Sequence, residues 1–199
     1  MSKIERPQRP SADNTRKKIL RAAQHLFLAR GYSAVATRKI AESAQVSENL
    51  IFHHFGDKAN LWKAVKSHVV AESDIDFTIP ETAAQDLNAF IKFIIYKRYE
   101  IQAKHPELPR LLAWQYLEGD MSLLGGHSFS PDNWFKYFES FKKKGLMRTD
   151  VSSITATLLL VGACEHFEYA KQLHELSIEA YLEQIVTSLS QGLSQVASP

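Results

Sequence analysis

A chain of 199 residues with 45% hydrophobic content has room for one domain or for a small domain joined to a larger one. Its single cysteine, Cys164, excludes an internal disulfide framework, and the longest apolar runs, such as 158–161, are too short to cross a bilayer. The net charge of +2 conceals an asymmetry: residues 1–66 hold 13 Lys/Arg against 5 Asp/Glu, and the remainder 11 against 17. A basic N-terminal third on an acidic remainder suits one part that meets a polyanion and another that stays off it. The opening MSKIERPQRP has no apolar core of signal-peptide length, so a cytoplasmic protein without a membrane partner is expected.

In chain order, residues 1–13 are polar and basic with Pro7 and Pro10, and read as a flexible basic arm. Residues 14–30 predict a helix with Ile19, Ala23, Leu26 and Phe27 on one stripe, stopped by Gly31. Residues 37–58, TRKIAESAQVSENLIFHHFGDK, then predict two short helices joined by a tight turn. Thr37 is the expected cap of the first, which turns Ile40, Ala41 and Ala44 inward. Gln45 and Val46 make the turn, and Ser47 is the expected cap of the second. With Ile51 and Phe55 inward, Glu48, Asn49, Phe52 and His53 face out. This is the layout of a helix-turn-helix that lays its second helix in a DNA major groove. An exposed apolar residue beside an amide suits a thymine methyl and base edges. Asp57 should cap a longer helix to about residue 74, with Leu61, Val65 and Val69 inward and Trp62 beside them.

Residues 15–65 resemble the DNA-binding domain of the TetR family of ligand-responsive transcriptional repressors. The resemblance is carried by Arg30-Gly31-Tyr32, Thr37…Ile40-Ala41…Ala44…Val46-Ser47, Ile51-Phe52-His53-His54-Phe55 and Asp57-Lys58…Leu61. The chain departs from the family's habits at Gln45, where Gly is frequent, at Asn49-Leu50, where Gly and Thr are common, and at Phe52-His53, where Tyr is common. In the recognition mode this implies, Glu48, Asn49 and Phe52 face bases, while Thr37, Arg38, Ser47, His53, His54 and Lys58 meet phosphates.

Beyond Pro80 every segment again reads as helix: 82–104, broken by His105-Pro106; 108–117; one started by Ser130-Pro131 and ended by Gly145; one capped by Asp150 or Ser152 and running to about 173; and one from the Ser177 cap to about 192. No alternating pattern is long enough for a sheet. The expected fold is all-α, with a three-helix DNA-binding domain over 14–66 and a larger helical domain for ligand binding and dimerisation over 67–199. In 151–173, one row holds Ile154, Leu158, Val161 and Glu165, and another Leu159, Gly162, His166 and Tyr169. In 177–193, Ile178, Leu182, Ile185 and Leu189 form an apolar stripe. Pairing of both helices with their copies would make a four-helix homodimer interface, as the resemblance also implies, with Ile178, Leu182, Ile185 and Leu189 its expected residues.

The resemblance further implies an effector cavity among the later helices. The aromatic inventory there suggests a lining of Phe93, Tyr96, Trp114, Leu117, Phe138 and Phe167, with Glu165 and His166 as polar anchors. The effector is an unidentified small molecule, and the other expected partner is a double-stranded DNA operator. No cofactor or metal site is indicated: there is no glycine-rich phosphate loop, HExxH or CxxC. Cys164-Glu165-His166 collects catalytic residue types, but neighbours on a helix point about 100° apart and form no nucleophile–base pair. An all-α enzyme and a constitutive DNA-binding factor without a ligand are the alternatives.

Overall fold

The computed structural model describes residues 12–73, 75–119, 131–172 and 177–195. Eleven α-helices are found among them: α1 (Ala12–Arg30), α2 (Thr37–Ala44), α3 (Glu48–Phe55), α4 (Lys58–Glu72), α5 (Glu81–Gln85), α6 (Leu87–Lys104), α7 (Glu107–Leu117), α8 (Phe135–Lys143), α9 (Ser153–Cys164), α10 (Phe167–Gln172) and α11 (Ile178–Leu193). The one β-type pairing among the described residues is a single antiparallel bridge between Met147 and Ser194. The all-α expectation holds. Residues 1–11 of the expected arm lie outside the described residues, and α1 begins at Ala12, inside the expected arm and two residues before the expected helix start.

The chain divides into two compact units, one of residues 1–74 with 110–122, the other of 75–109 with 123–199. The division therefore falls after residue 74 and not after 66, because α4 keeps Leu61, Trp62, Val65 and Val69 in the core of the first unit along its whole length. The first unit also takes in α7 from Arg110 onward, so it is discontinuous in sequence.

Local chemistry explains most helix boundaries. Asp57 accepts from the Asn60 N–H at 2.6 Å, Asp86 from Ala89 at 2.7 Å, Ser152 from Thr155 at 3.0 Å and Ser177 from Ala180 at 3.2 Å. The Asp86 cap splits the expected 82–104 helix into α5 and α6, since Asp86 is extended (φ −131°, ψ 129°) and its carboxylate starts a new helix. The expected 151–173 helix is likewise broken: the Glu165 N–H closes a tight i→i+3 bond to Gly162 O, leaving Glu165 and His166 exposed between α9 and α10. Pro131 opens a short 3-10 turn, Pro131–Trp134, that leads into α8.

The second unit is built around α6, with Phe90, Ile91, Ile94 and Ile95 fully enclosed by Phe138 and Phe141 of α8, Leu160 of α9 and Leu182 and Val186 of α11. Phe90 meets Phe138 and Phe141 edge-on at 5.4 and 5.5 Å between ring centres, a favoured aromatic geometry. Of the expected interface stripe on α11, Leu182 is enclosed by its own unit, while Ile178, Ile185 and Leu189 pack against that same core and stay partly exposed. The most exposed large apolar side chains of this unit lie on α9 and α10: Ile154, Leu158 and Leu159 are 60%, 64% and 47% exposed, and Tyr169 is 60% exposed.

Candidate nucleic-acid interface

In the first unit, α2 and α3 are joined by three residues. Ala44 ends α2, and Gln45 takes the left-handed conformation (φ 56°, ψ 46°). The Gln45 N–H bonds Glu42 O at 3.2 Å and the Val46 N–H bonds Ala41 O at 3.0 Å, the paired closure that satisfies the last carbonyls of a helix. Ile40, Ala41, Ala44, Ile51 and Phe55 are buried, so small residues sit at the crossing and α3 is fixed against α2 and α4. Arg16 of α1 lies over the Phe55 ring at 5.0 Å and adds a charged tether to the end of α3.

Two expected caps are not made. The N-cap of α2 is Ala36 and Thr37 is its first helical residue, and neither Ala36 nor Ser47 offers a side-chain cap bond. Instead the Thr37 hydroxyl donates to a Glu48 carboxylate oxygen, tying the start of α2 to the start of α3. Glu48 is thus half-buried and engaged within the protein, whereas Asn49 and Phe52 are exposed, three residues apart on the outer face of α3. His53 is exposed beside them, His54 is half-buried and the two rings meet edge-on at 5.3 Å. Ser47 is exposed. Arg38 is 82% exposed and shares Glu42 with Lys39, an exposed cation that the sequence reading omitted although it follows Arg38 directly. Exposed pairs of this kind are weak, so both cations can exchange Glu42 for a phosphate.

Lys58 behaves differently. Its ammonium sits 4.3 Å above the Tyr32 ring, and burial pulls its pKa below the ordinary lysine value, against the opposing pull of Glu118. Its charge is directed at the protein, not outward. Around it Phe27, Tyr32 and Trp62 form an aromatic triangle with ring centres 5.3–6.0 Å apart.

The same corner is gripped by α7. Trp114 donates its indole N–H to Leu28 O at 3.0 Å, and its ring lies so close to Gly31 (φ +82°) that a Cβ there would meet it at 2.7 Å. Just beyond α7, Glu118 accepts from the Ser33 N–H at 2.9 Å and from the Ser33 hydroxyl. Those two bonds, the hydroxyl's the stronger, hold the Glu118 carboxyl below the usual carboxylate range. This latch was absent from the sequence reading, since its partners stand 85 residues apart and no local pattern links them.

The residues of the expected effector lining are divided between the two units. Trp114 and the exposed Leu117 belong to the first unit. Phe93, Tyr96, Phe138 and Phe167 are in the second, where Phe138 and Phe167 are enclosed core residues and Phe93 packs edge-on against Phe77 at 5.7 Å. The Tyr96 hydroxyl donates to Glu183 at 2.6 Å, which pushes its pKa up to about 12. Glu165 and His166 are exposed at the α9–α10 break, so neither is an enclosed anchor. Among the described residues no group of three His, Cys, Asp or Glu side chains is placed to hold a metal ion, and no helix is long and apolar enough to cross a membrane.

Residues 19–65 match the family model for bacterial regulatory proteins of the tetR family. The chain is 27% identical over 181 residues to the HTH-type transcriptional repressor NicS of Pseudomonas putida, covering 83% of this chain and 80% of that protein. It is 42% identical over 52 residues to the HTH-type transcriptional repressor AcnR of Corynebacterium glutamicum, a match to 26% of this chain and 28% of that one. In fold it is similar to a TetR family transcription regulator from Marinobacter aquaeolei, with a TM-score of 0.67 at 19% identity over 92% of this chain and 97% of that one. It is also similar to HlyIIR, a hemolysin II transcriptional regulator, with a TM-score of 0.61 at 17% identity over 94% of this chain and the whole of that one. The tight turn at Gln45, the exposed α3 face and the matching family model fall on the same residues, so residues 19–65 form a helix-turn-helix segment similar to that of the tetR family of bacterial regulatory proteins.

Proposed function

We propose that the protein is a sequence-specific transcriptional repressor that binds a palindromic DNA operator as a homodimer and is released by a small-molecule effector held in the second unit. The observation that carries the reading is the outer face of α3, where Asn49 and Phe52 are exposed side by side with the exposed cations Arg38 and Lys39 of α2 nearby in sequence. Asn49 has the paired donor and acceptor that adenine offers in the major groove, and Phe52 the apolar surface for a thymine methyl. Thr37, Arg38, Lys39, Ser47, His53 and His54 set the register on phosphates. Glu48 acts through Thr37 as a positioning residue, and Lys58 stabilises the corner at Tyr32 instead of meeting a phosphate.

Release follows from the chain path. It passes between the units at 74/75, 109/110 and 122/123, so α4 and the second half of α7 are both led out of the first unit by connections a second-unit ligand can strain. A homodimer reads two half-sites at a fixed spacing, and a small change in the separation of its α3 helices lowers affinity.

The test is selection of bound duplexes from a genomic pool, followed by titration of the selected operator at several salt concentrations. A dimer meeting about 6–10 phosphates gives a log–log salt slope of roughly −5 to −9. Asn49→Ala should weaken operator binding by about 1–3 kcal/mol and relax the preference at one base position per half-site. A salt-independent affinity, or no selected duplex, overturns the reading.

A further inference from the structure

Arg98 is out of place in its helix. It extends the enclosed α6 stripe of Ile91, Ile94 and Ile95, a position where an apolar residue would continue the pattern. Its guanidinium lies 5.9 Å from the centre of the Trp134 ring and beside the Cys164 thiol. Its Nε is buried with no hydrogen-bond partner, and it forms no ion pair with a carboxylate among the described residues. The thiol does not neutralise it: burial pushes Cys164 up to about 11, so the sulfur stays protonated at neutral pH.

A second group makes the same demand. Trp134 is fully enclosed, yet its indole N–H, which can only donate, is also buried without a partner. The Thr157 hydroxyl of α9, two turns before Cys164, is unpaired as well. The guanidinium is half-buried and reaches the Cys164 sulfur, but its Nε and the Trp134 indole N–H are both buried without an acceptor, an arrangement that native cores avoid unless something else supplies one. The apolar neighbourhood of Phe77, stacked on Trp134 at 6.2 Å, supplies contact surface for a carbon skeleton.

From this arrangement we infer that Arg98 and Trp134 form the anion-binding end of a ligand site in the second unit, and that its ligand is a small carboxylic acid with an apolar body. One carboxylate oxygen accepts from the Arg98 guanidinium and the other from the Trp134 indole, while the body lies against the Phe77 side. The inference rests on the effector-release reading above for its biological meaning, but the site itself is testable without DNA.

The experiment measures binding to the full-length protein by calorimetry and by thermal shift, using benzoate and hexanoate, each against its neutral amide. The acids are expected to bind at millimolar concentration or below and to raise the melting temperature, with an advantage of about tenfold or more over the amides, as a charge-assisted hydrogen bond requires. Arg98→Gln should remove that advantage, and Arg98→Lys, which keeps the charge, should retain part of it. If Arg98→Gln fails to fold, the acid–amide comparison on the natural protein decides. Equal binding of acid and amide, an unaltered acid affinity in Arg98→Gln, or no binding of either acid at millimolar concentration overturns the inference. Acid binding that depends on Arg98 but leaves the operator complex intact upholds this site and overturns effector release.

Discussion

Gln45 holds a backbone conformation (φ 56°, ψ 46°) that a side chain with a Cβ disfavours, and it does so at the turn that sets the angle between α2 and α3. Among the described residues it is the one non-glycine with positive φ. Gln45→Gly should therefore stabilise the protein by about 0.5–1 kcal/mol, the relief of left-handed strain less the extra entropy glycine has when unfolded. Chemical denaturation should show a higher midpoint with an unaltered slope; a lower midpoint would mean that the glutamine side chain contributes more than the strain removes. The neighbouring residues show what a sequence can and cannot disclose at this scale. The outward face of α3 was legible from the period of Ile51 and Phe55 alone. The Thr37–Glu48 bond was not, because Thr37 before a helix and Glu48 at a helix start each have an ordinary local explanation, and only the fold brings them together.

At the level of helices, the α7 latch on the 28–33 corner is the feature most open to direct test. Ser33 holds Glu118 as a carboxylate, so the folded pKa lies below the ordinary 4.5. A depressed carboxyl contributes stability that is fully present above the unfolded value and is lost as pH falls through the folded one. The natural protein should lose stability more steeply than Glu118→Gln below about pH 4.5, and the two should run parallel above it; denaturation midpoints across pH 3–7 in roughly unit steps check this. Gly31→Ala should destabilise by more than about 1–2 kcal/mol, since left-handed strain adds to a 2.7 Å clash with Trp114. Helix ends were the other element-scale question. The Ser152 and Ser177 caps were readable because a hydroxyl precedes an apolar run. The splits at Asp86 and at Glu165–His166 were obscured by apolar periodicity that runs through both, although the Asp86 carboxylate is the cap that starts the second helix at the first of them.

For the whole molecule, assembly turns on which apolar surface the subunit leaves bare. Helical periodicity marked α11 as amphipathic but could not say what its stripe faces, and Leu182 proves to be enclosed by its own unit. A double Leu182→Asp, Ile185→Asp change would therefore unfold the second unit and report nothing specific on pairing. Leu158→Asp with Leu159→Asp is the discriminating change, because both side chains are exposed in the subunit. Light scattering should show a dimer for the natural protein and a folded monomer for this variant, with operator affinity reduced on the order of a hundredfold or more as the linkage of two half-sites is lost. A variant that stays dimeric would move the interface away from α9.

The discontinuity of the first unit bears on how such a regulator can be taken apart and recombined. A cut after residue 74, the natural choice from the linear map, would remove Trp114 and Glu118 along with the second unit. The excised head would keep α1 to α4 but leave the Leu28 carbonyl and both Ser33 donors without their partners, and would open the space above Gly31. Exchanging second units between relatives at that junction would pair each head with a foreign clasp at the 28–33 corner. Grafts that bring residues 110–119 along with the head preserve the native fit, so this peptide, although it follows part of the second unit in sequence, belongs with the first.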